Sequence, residues 1–264
     1  MHSILFSAIL SLACPAAATS RHLVLFGGGE DRPREAMERF AELAGKSEAR
    51  ILVVTWATEY TDDAFKGFQD SVRFSSPAAV ELAQSTAAVA AAPEAFLSSL
   101  ASATGVFFTG GDQNVVSYFL KEQPRISEAL KKKYRSGSVF GGASAGSAVM
   151  SEVMITGEGD FTVIDGSRVG TDQGLGLLPG VIIDQKFLAR QRENRLFGLV
   201  LERPQLAGVG IDDGAAAAFD DEREVQAFGP GPLTIVLGEK GAARLTLELL
   251  KAGERFDLEK KKRL

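Results

Sequence analysis

The sequence predicts an α/β fold in which a mostly parallel sheet is covered by helices on both of its faces. Short apolar runs alternate with segments of helical periodicity along the first two thirds of the chain. Turns that contain glycine follow several of these runs, as they do at the strand ends of βαβ units. The 264 residues are 45% hydrophobic and 24% charged, which is enough to bury a large core and unlike a disordered chain.

The amino-terminal half contains four apolar runs, each followed by a segment of helical spacing. The first run, RHLVLF, meets a triple-glycine turn at residues 27–29. Continuous apolar runs of this kind are typical of parallel strands that are buried on both faces. The predicted strands are residues 21–26, 50–55, 79–82 and 105–108. The predicted helices are residues 34–43, 64–74, 92–101 and 113–120.

The carboxyl-terminal part is predicted to be richer in strands. Helices are expected over residues 147–154 and, with many charges, over residues 187–200. Because no linker or repeat interrupts the pattern, residues 19–264 are predicted to form a single domain. The predicted strands in this part are residues 180–184, 207–211, 225–228, 233–237 and 243–250.

The charge balance and the scarcity of histidine exclude several classes of function. The chain has 29 Lys and Arg against 34 Asp and Glu, a formal charge of -5, so a nucleic-acid partner is not expected. The triple-glycine turn lacks the G-x-G-x-x-G spacing, and no G-K-S/T follows, so neither a nucleotide nor another cofactor is expected. Only His2 and His22 are present, and Cys14 is the only cysteine, so no metal site is expected.

The amino terminus resembles a secretory signal. Residues 4–12 are apolar, and Ala16, Ala17 and Ala18 follow as an A-x-A-like cleavage site. We therefore predict that residues 1–18 are a signal peptide and that the protein is exported to the periplasm or the medium. Lipoprotein anchoring through Cys14 is a less favoured alternative, because Ser11 stands where such signals usually have leucine. No later run is long enough for a transmembrane segment.

The strongest chemical signal is GASAG at residues 142–146. A G-x-S-x-G between a strand and a helix is typical of a nucleophile elbow, whose strained turn needs small neighbours. Ser144 is then the candidate nucleophile, and the backbone amide of Ala145 is a candidate oxyanion donor. The alternative is a small-residue turn that is packed for steric reasons alone.

Three further strand ends carry candidate site residues. The turn from Gly110 to Gln113 offers a second oxyanion donor at Gly111, although a glycine pair is also ordinary at a turn. After the next such strand come Asp184, Gln185 and Lys186, and then three arginines that could clamp carboxylates, although at least one is expected to be merely solvated. At the last strand end, one carboxylate could orient Lys186 or pair with it. The alternative is that this acidic turn is merely solvated. The three arginines are Arg190, Arg192 and Arg195, and the last turn contains Asp212 and Asp213.

Taken together, these motifs resemble the cyanophycinase family of serine peptidases, which is related to dipeptidases that cleave after aspartate and, more distantly, to class I glutamine amidotransferases. The resemblance implies a three-layer αβα sandwich and an exopeptidase. It also implies a peptide substrate, either β-linked Asp-Arg polymer or an isoaspartyl peptide. Whether the protein forms a homodimer is left open. The matching segments are FFTGGDQ at 107–113, GASAG at 142–146, DQKFLARQRENRL at 184–196, GVGIDD at 208–213 and AGERFDL at 252–258.

The resemblance also assigns roles to individual residues. Ser144 matches the nucleophile, and Asp213 falls at an acidic position that we take as the orienting carboxylate. Lys186 stands where the family has a histidine as general base. The positions that match the substrate pocket are Gln113, Asp184, Gln185, Arg190, Arg192 and Arg195.

The lysine leaves two functions open. A Ser-Lys dyad needs a neutral amine, hence a pKa lowered from about 10.4 to near neutrality by desolvation. A charged Lys186 would instead anchor a substrate carboxylate or pair with Asp213, which would make the chain a degenerate family member that binds an acidic peptide without turnover.

Overall fold

The computed structural model describes residues 19–29 and 32–264. The predicted signal peptide and Cys14 lie outside the described residues. The strands of the main sheet are β1 (His22–Phe26), β2 (Arg50–Val54), β3 (Ala79–Leu82), β4 (Gly105–Phe108), β5 (Val139–Ala143), β10 (Ala216–Asp220), β11 (Glu224–Phe228), β14 (Arg255–Asp257) and β15 (Lys262–Arg263). The other strands are β6 (Val153–Gly159), β7 (Val169–Gln173), β8 (Val181–Gln185), β9 (Ala207–Ile211), β12 (Leu233–Gly238) and β13 (Leu245–Leu250). The helices are α1 (Arg34–Ala44), α2 (Thr61–Val72), α3 (Thr86–Ala91), α4 (Glu94–Ser102), α5 (Gln113–Glu122), α6 (Pro124–Arg135), α7 (Ala145–Ala148) and α8 (Glu193–Glu202).

The main sheet has a parallel centre and an antiparallel flank. Its order is β15-β14-β11-β10-β1-β5-β4-β2-β3. The five strands from β1 to β3 in that order pair in parallel, whereas β10, β11, β14 and β15 pair antiparallel. The carboxyl ends of the five parallel strands therefore meet at one edge, which is the edge where the candidate site residues were expected.

Both faces of this sheet are covered, which confirms the predicted αβα arrangement. On one face, α1 and α2 pack Phe40 and Phe68 against Phe107, with ring centroids 5.5 Å and 4.5 Å from that of Phe107. On the other face, buried side chains of α4 to α7 form a second, larger core with the opposite side of the same strands. Alternate residues of each parallel strand thus enter different cores, which explains why these strands are apolar throughout.

One feature was not expected from the sequence: β8 and β9 do not join the main sheet. They pair in parallel with each other and lie in a separate four-stranded sheet of order β13-β12-β9-β8. Ile183 and Ile211 face the larger core, whereas Ile182 and Val236 pack under α8. Because β8, β9 and β12 are also buried on both faces, their apolar pattern resembles that of the central strands of the main sheet.

Two helix predictions were wrong in their bounds, and two helices were not predicted. The helix predicted over residues 92–101 is α4, whereas α3, which ends before Pro93, and α6 were not predicted. The one predicted over 147–154 ends at Ala148, because the carbonyls of Val149 and Met150 accept hydrogen bonds from a later loop and β6 follows. The one predicted over 187–200 begins only at Glu193, after a left-handed residue at Gln191 (φ 51°). The described part of the chain has no helix long and apolar enough to span a membrane.

Candidate active site

The structure places Ser144 at a sharp turn between β5 and α7. Its dihedrals are φ 52° and ψ -114°, a strained conformation for a residue with a side chain. The small neighbours are required by close backbone approach. A Cβ at Gly142 would lie 2.2 Å from the carbonyl oxygen of Gly146, and one at Gly146 would lie 2.2 Å from that of Phe108. This is the geometry of a nucleophile elbow.

Two serines of this turn have different environments. Ser144 is half-buried, and its hydroxyl makes no hydrogen bond to any other described residue. Ser147 is fully buried, and its hydroxyl lies 2.8 Å and 2.7 Å from the carbonyl oxygens of Phe26 and Gly142. It also accepts a hydrogen bond from the Phe26 amide at 3.1 Å. Ser147 therefore ties β1 to β5, whereas the hydroxyl of Ser144 is available for chemistry.

The second glycine turn lies beside Ser144. A Cβ at Gly110 would be 3.5 Å from that of Ser144. Gly111 has a φ of 141° and packs against the carbonyl of Ala57, which accepts a hydrogen bond from Asp112 at 2.7 Å. Within the described chain, neither the Gly111 amide nor the Ala145 amide donates a hydrogen bond to another residue. Both remain available for the oxygen of a tetrahedral intermediate, as the sequence suggested.

Gln113 holds a neighbouring hairpin in place. Its side-chain nitrogen donates to the carbonyls of Ile155 and Thr156 at 2.9 Å and 3.0 Å, and the residue is buried. The hairpin of β6 and β7 is thereby fixed against the start of α5. Only the side-chain oxygen of Gln113 is left for a substrate, because its nitrogen is already engaged.

Asp184 and Arg195 form a closed ion pair. The guanidinium donates two hydrogen bonds to the carboxylate, at 2.7 Å through Nε and 2.5 Å through Nη2, and both residues are almost fully buried. Phe161 covers the guanidinium, with its ring centroid 5.0 Å from Cζ. Burial raises the pKa of the Asp184 carboxyl, and the guanidinium of Arg195 opposes this shift. The two charges satisfy each other, so we interpret the pair as a support of the site.

The other two arginines differ in exposure. Nη1 of Arg192 donates to the backbone oxygen of Gln185 at 2.7 Å and to its side-chain oxygen at 2.9 Å. Burial lowers the pKa of Arg192, and the nearby charge of Arg195 lowers it further. Arg190 is exposed. Arg192 is therefore the arginine best placed to bind a substrate carboxylate, since its other donors have no partner among the described residues.

Lys186 and Asp213 both lie against the triple-glycine turn that follows β1. Lys186 has a φ of 52°, and its Cε would be 2.6 Å from a Cβ at Gly28. The Oδ1 of Asp213 would be 3.2 Å from the same point, yet no ion pair within 4.0 Å joins Lys186 to a carboxylate in the described chain. Asp213 is exposed. The side chain of Asp212 has a different task, because it accepts hydrogen bonds from the amides of Ala189 and Asp213.

His22 lies at the opposite end of β1. It pairs in register with Asp220, and its Nδ1 is 2.6 Å from the Asp220 carboxylate. The carboxyl edge that carries Ser144 therefore has no imidazole among residues 19–29 and 32–264. The same residues contain no cluster of three or more His, Cys, Asp or Glu side chains that could hold a metal ion.

Two features of this site were not predicted from the sequence. The turn that contains Gly28 was considered only for nucleotide binding, and Asp212 was a candidate to orient or pair with Lys186, not an acceptor for backbone amides. The signal for both was present, because a glycine turn and an acidic pair each follow an apolar run. The sequence does not show how the two sheets pack against each other, and this packing brings the ends of β1, β8 and β9 together.

Comparison with known proteins supports the resemblance. The family model described as "Peptidase family S51" matches residues 23–226. The cyanophycinase of Synechococcus elongatus is 33% identical over 216 residues, covering 81% of this chain and 67% of its own. That of Trichormus variabilis is 34% identical over 224 residues, covering 83% and 74%.

Solved structures share the fold at lower identity. A peptidase from an acI-B1 actinobacterium has a TM-score of 0.68 at 20% identity, covering 91% of this chain and 98% of its own. A putative peptidase E from Listeria monocytogenes has a TM-score of 0.57 at 12% identity, covering 81% of this chain and all of its own. With the family model and the cyanophycinases in agreement, this chain belongs to peptidase family S51.

Proposed function

We propose that the chain is a serine exopeptidase that hydrolyses β-linked Asp-Arg polymer or isoaspartyl peptides through Ser144. The observation that carries this proposal is the hydroxyl of Ser144, which lies at a strained elbow without a hydrogen-bond partner in the described chain and beside two free backbone amides. The cyanophycinase relatives support the substrate class.

The proposed reaction has two steps. The Oγ of Ser144 attacks the scissile carbonyl carbon while its proton passes to a neutral Lys186 amine, and the amides of Ala145 and Gly111 bind the oxyanion. Lys186 returns the proton to the leaving amine as the acyl-enzyme ester forms. Water then attacks the ester carbon and gives a proton to Lys186. Lys186 passes that proton to the Oγ of Ser144 as the ester bond breaks, which releases the acid and restores the free serine and the neutral amine.

The arginines support an acidic substrate. In an isoaspartyl peptide the α-carboxylate of the aspartyl residue is free beside the scissile β-amide bond. Arg192 lies immediately before α8, and its half-buried guanidinium has donors without a partner among the described residues. A bidentate contact from Arg192 to that carboxylate would discriminate β-linked from α-linked peptides.

The state of Lys186 decides between catalysis and binding. The absence of an ion pair to Lys186 within 4.0 Å among the described residues favours its role in a Ser-Lys dyad. Asp213 on the same side of Gly28 favours the alternative, a family member that binds an acidic peptide without turnover.

The test is hydrolysis by the purified protein of β-Asp-Arg polymer and of β-Asp-Arg and isoaspartyl dipeptides, with α-Asp-Arg as the control substrate. We expect release of dipeptide or amino acid from the β-linked substrates only, and its loss in Ser144→Ala. Binding of the β-linked substrates without cleavage, equal in wild type and Ser144→Ala, would establish the binder instead. Cleavage that survives Ser144→Ala would contradict both.

We also propose that residues 1–18 are removed on export, since the apolar run and the alanines at 16–18 have the pattern of a signal peptide. Mass spectrometry of the protein isolated from its natural host should show an amino terminus near Thr19. A soluble protein that begins at Met1 would contradict the proposal.

A further inference from the structure

We propose that Gly28 is a positioning residue that sets where the Lys186 amine lies relative to Ser144. The inference rests on the proposed function, in which Lys186 takes the proton of Ser144. Gly28 belongs to the turn after β1, whereas Lys186 follows β8 in the second sheet. The contact between them therefore joins the two sheets at the site.

The backbone on both sides of this contact is fixed. The carbonyl of Lys186 accepts a hydrogen bond from Arg190 at 3.2 Å, and Phe187 packs directly on Gly210 of β9. On the other side, Gly28 accepts a hydrogen bond from Gly214 at 3.3 Å. With the backbone held at both ends, the remaining freedom lies in the path of the lysine side chain.

The Lys186 side chain passes Gly28 on the side where a Cβ would be. A Cβ at Gly28 would lie 3.1 Å from Cγ and 2.6 Å from Cε of Lys186. Cε is the last carbon before the amine, so a methyl group here displaces the amine itself. The lysine end is flexible and can move without disturbing the core, so the main consequence is a misplaced amine. A displacement of about 1 Å at a catalytic group typically costs about 10²-fold in rate.

The neighbouring glycine provides a matched control. Gly29 also has a positive φ, 85° against 134° for Gly28, so alanine strains the backbone at either position. The three described atoms nearest to a Cβ at Gly29, however, all belong to Asp213 and lie 3.5 Å or more away. Gly28→Ala and Gly29→Ala therefore both place alanine at a positive φ and differ in the close contact with Lys186.

The first experiment compares these two variants by the pH profile of hydrolysis. We expect Gly28→Ala to lower the Ser144-dependent rate by about 10- to 100-fold and to displace the profile, and Gly29→Ala to stay within about threefold of wild type. In a Lys186→Met background, Gly28→Ala should have no additional effect. Equal losses in folded Gly28→Ala and Gly29→Ala, or additive losses with Lys186→Met, would overturn the proposal.

A second measurement needs no activity and no substitution at Gly28. In the wild-type protein, nuclear Overhauser contacts should join the Gly28 α protons to the Lys186 ε protons, with the lysine signals identified by their absence in Lys186→Met. Their absence from a folded wild-type protein would overturn the proposal. If the contacts are present but wild type cleaves no substrate, the positioning of Lys186 stands and the proposed function fails.

Discussion

Charged side chains at the end of β8 and after it differ in whether they form ion pairs. Asp184 and Arg195 are buried and neutralise each other through two hydrogen bonds. Two residues after Asp184, Lys186 lies at the open edge beside Asp213 without an ion pair in the described chain. The same contrast separates buried Ser147 from half-buried Ser144. Satisfied polar groups hold this edge together, and the unsatisfied ones are left for substrate.

The largest expected effect concerns the unsatisfied group at position 186. If only the proton acceptor is suboptimal, Lys186→His should raise the rate of hydrolysis by about 10²- to 10⁴-fold. It should also move the pH profile toward about pH 6 to 7, near the pKa of an imidazole, whereas a wild-type rate that depends on a neutral lysine rises toward higher pH. Rates from pH 5 to 10 test this. Lys186→Met, which keeps the length of the side chain and removes the base, should be slower than wild type at every pH.

The buried ion pair of Asp184 and Arg195 should stabilise the fold. Arg195→Met leaves the buried Asp184 carboxylate without its two side-chain hydrogen bonds and with Nη1 of Arg192 4.0 Å away, so it should lower the free energy of unfolding by about 3–5 kcal/mol. Urea denaturation measures this. Arg190→Met is the control, because Arg190 is exposed in the same segment and its loss should change the free energy by less than about 0.5 kcal/mol. Equal effects of the two substitutions would contradict the supporting role of Arg195.

The smallest effect is expected at an ion pair that is open to solvent. Lys121 pairs with Asp172, and their hydrogen bond holds the pKa of the Asp172 carboxyl below its usual range. A lowered pKa in the folded state means that the stabilisation is present above the ordinary pKa of about 3.8 and is lost as pH falls below it. Lys121→Ala should cost less than about 1 kcal/mol at pH 7, and this difference should vanish in acid. A cost as large as that of Arg195→Met would remove the distinction between buried and exposed pairs.

Much of the fold and of the site could be predicted from local pattern. Apolar runs located β1 to β4, β8, β9 and β11 to β13, but not β6, β7, β10, β14 or β15. GASAG located Ser144, because a strained turn restricts its neighbours to small residues. Helix ends were less predictable. Residues 187–192 are compatible with a helix, but Asp212 binds the amide of Ala189 and a left-handed residue at Gln191 interrupts the turn.

Contacts between segments that are distant in the sequence could not be predicted from it. Nothing local to Arg190, Arg192 and Arg195 indicates which of them is paired, because Asp184 reaches Arg195 only across the turn that precedes α8. The assignment of β8 and β9 to a second sheet is of the same kind, since both faces of each sheet are apolar. The contact of Gly28 with Lys186 depends on both sheets and could not be read from either segment alone.

Labelling by a serine-reactive fluorophosphonate, followed by peptide mass spectrometry, tests whether Lys186 activates Ser144. We expect a single adduct on Ser144, with a labelling rate that rises with pH in wild type and is lower at every pH in Lys186→Met. Ser147, buried in the same turn, should stay unlabelled. Labelling of another residue, or a Ser144 rate unchanged by Lys186→Met, would contradict the claim that Lys186 activates Ser144.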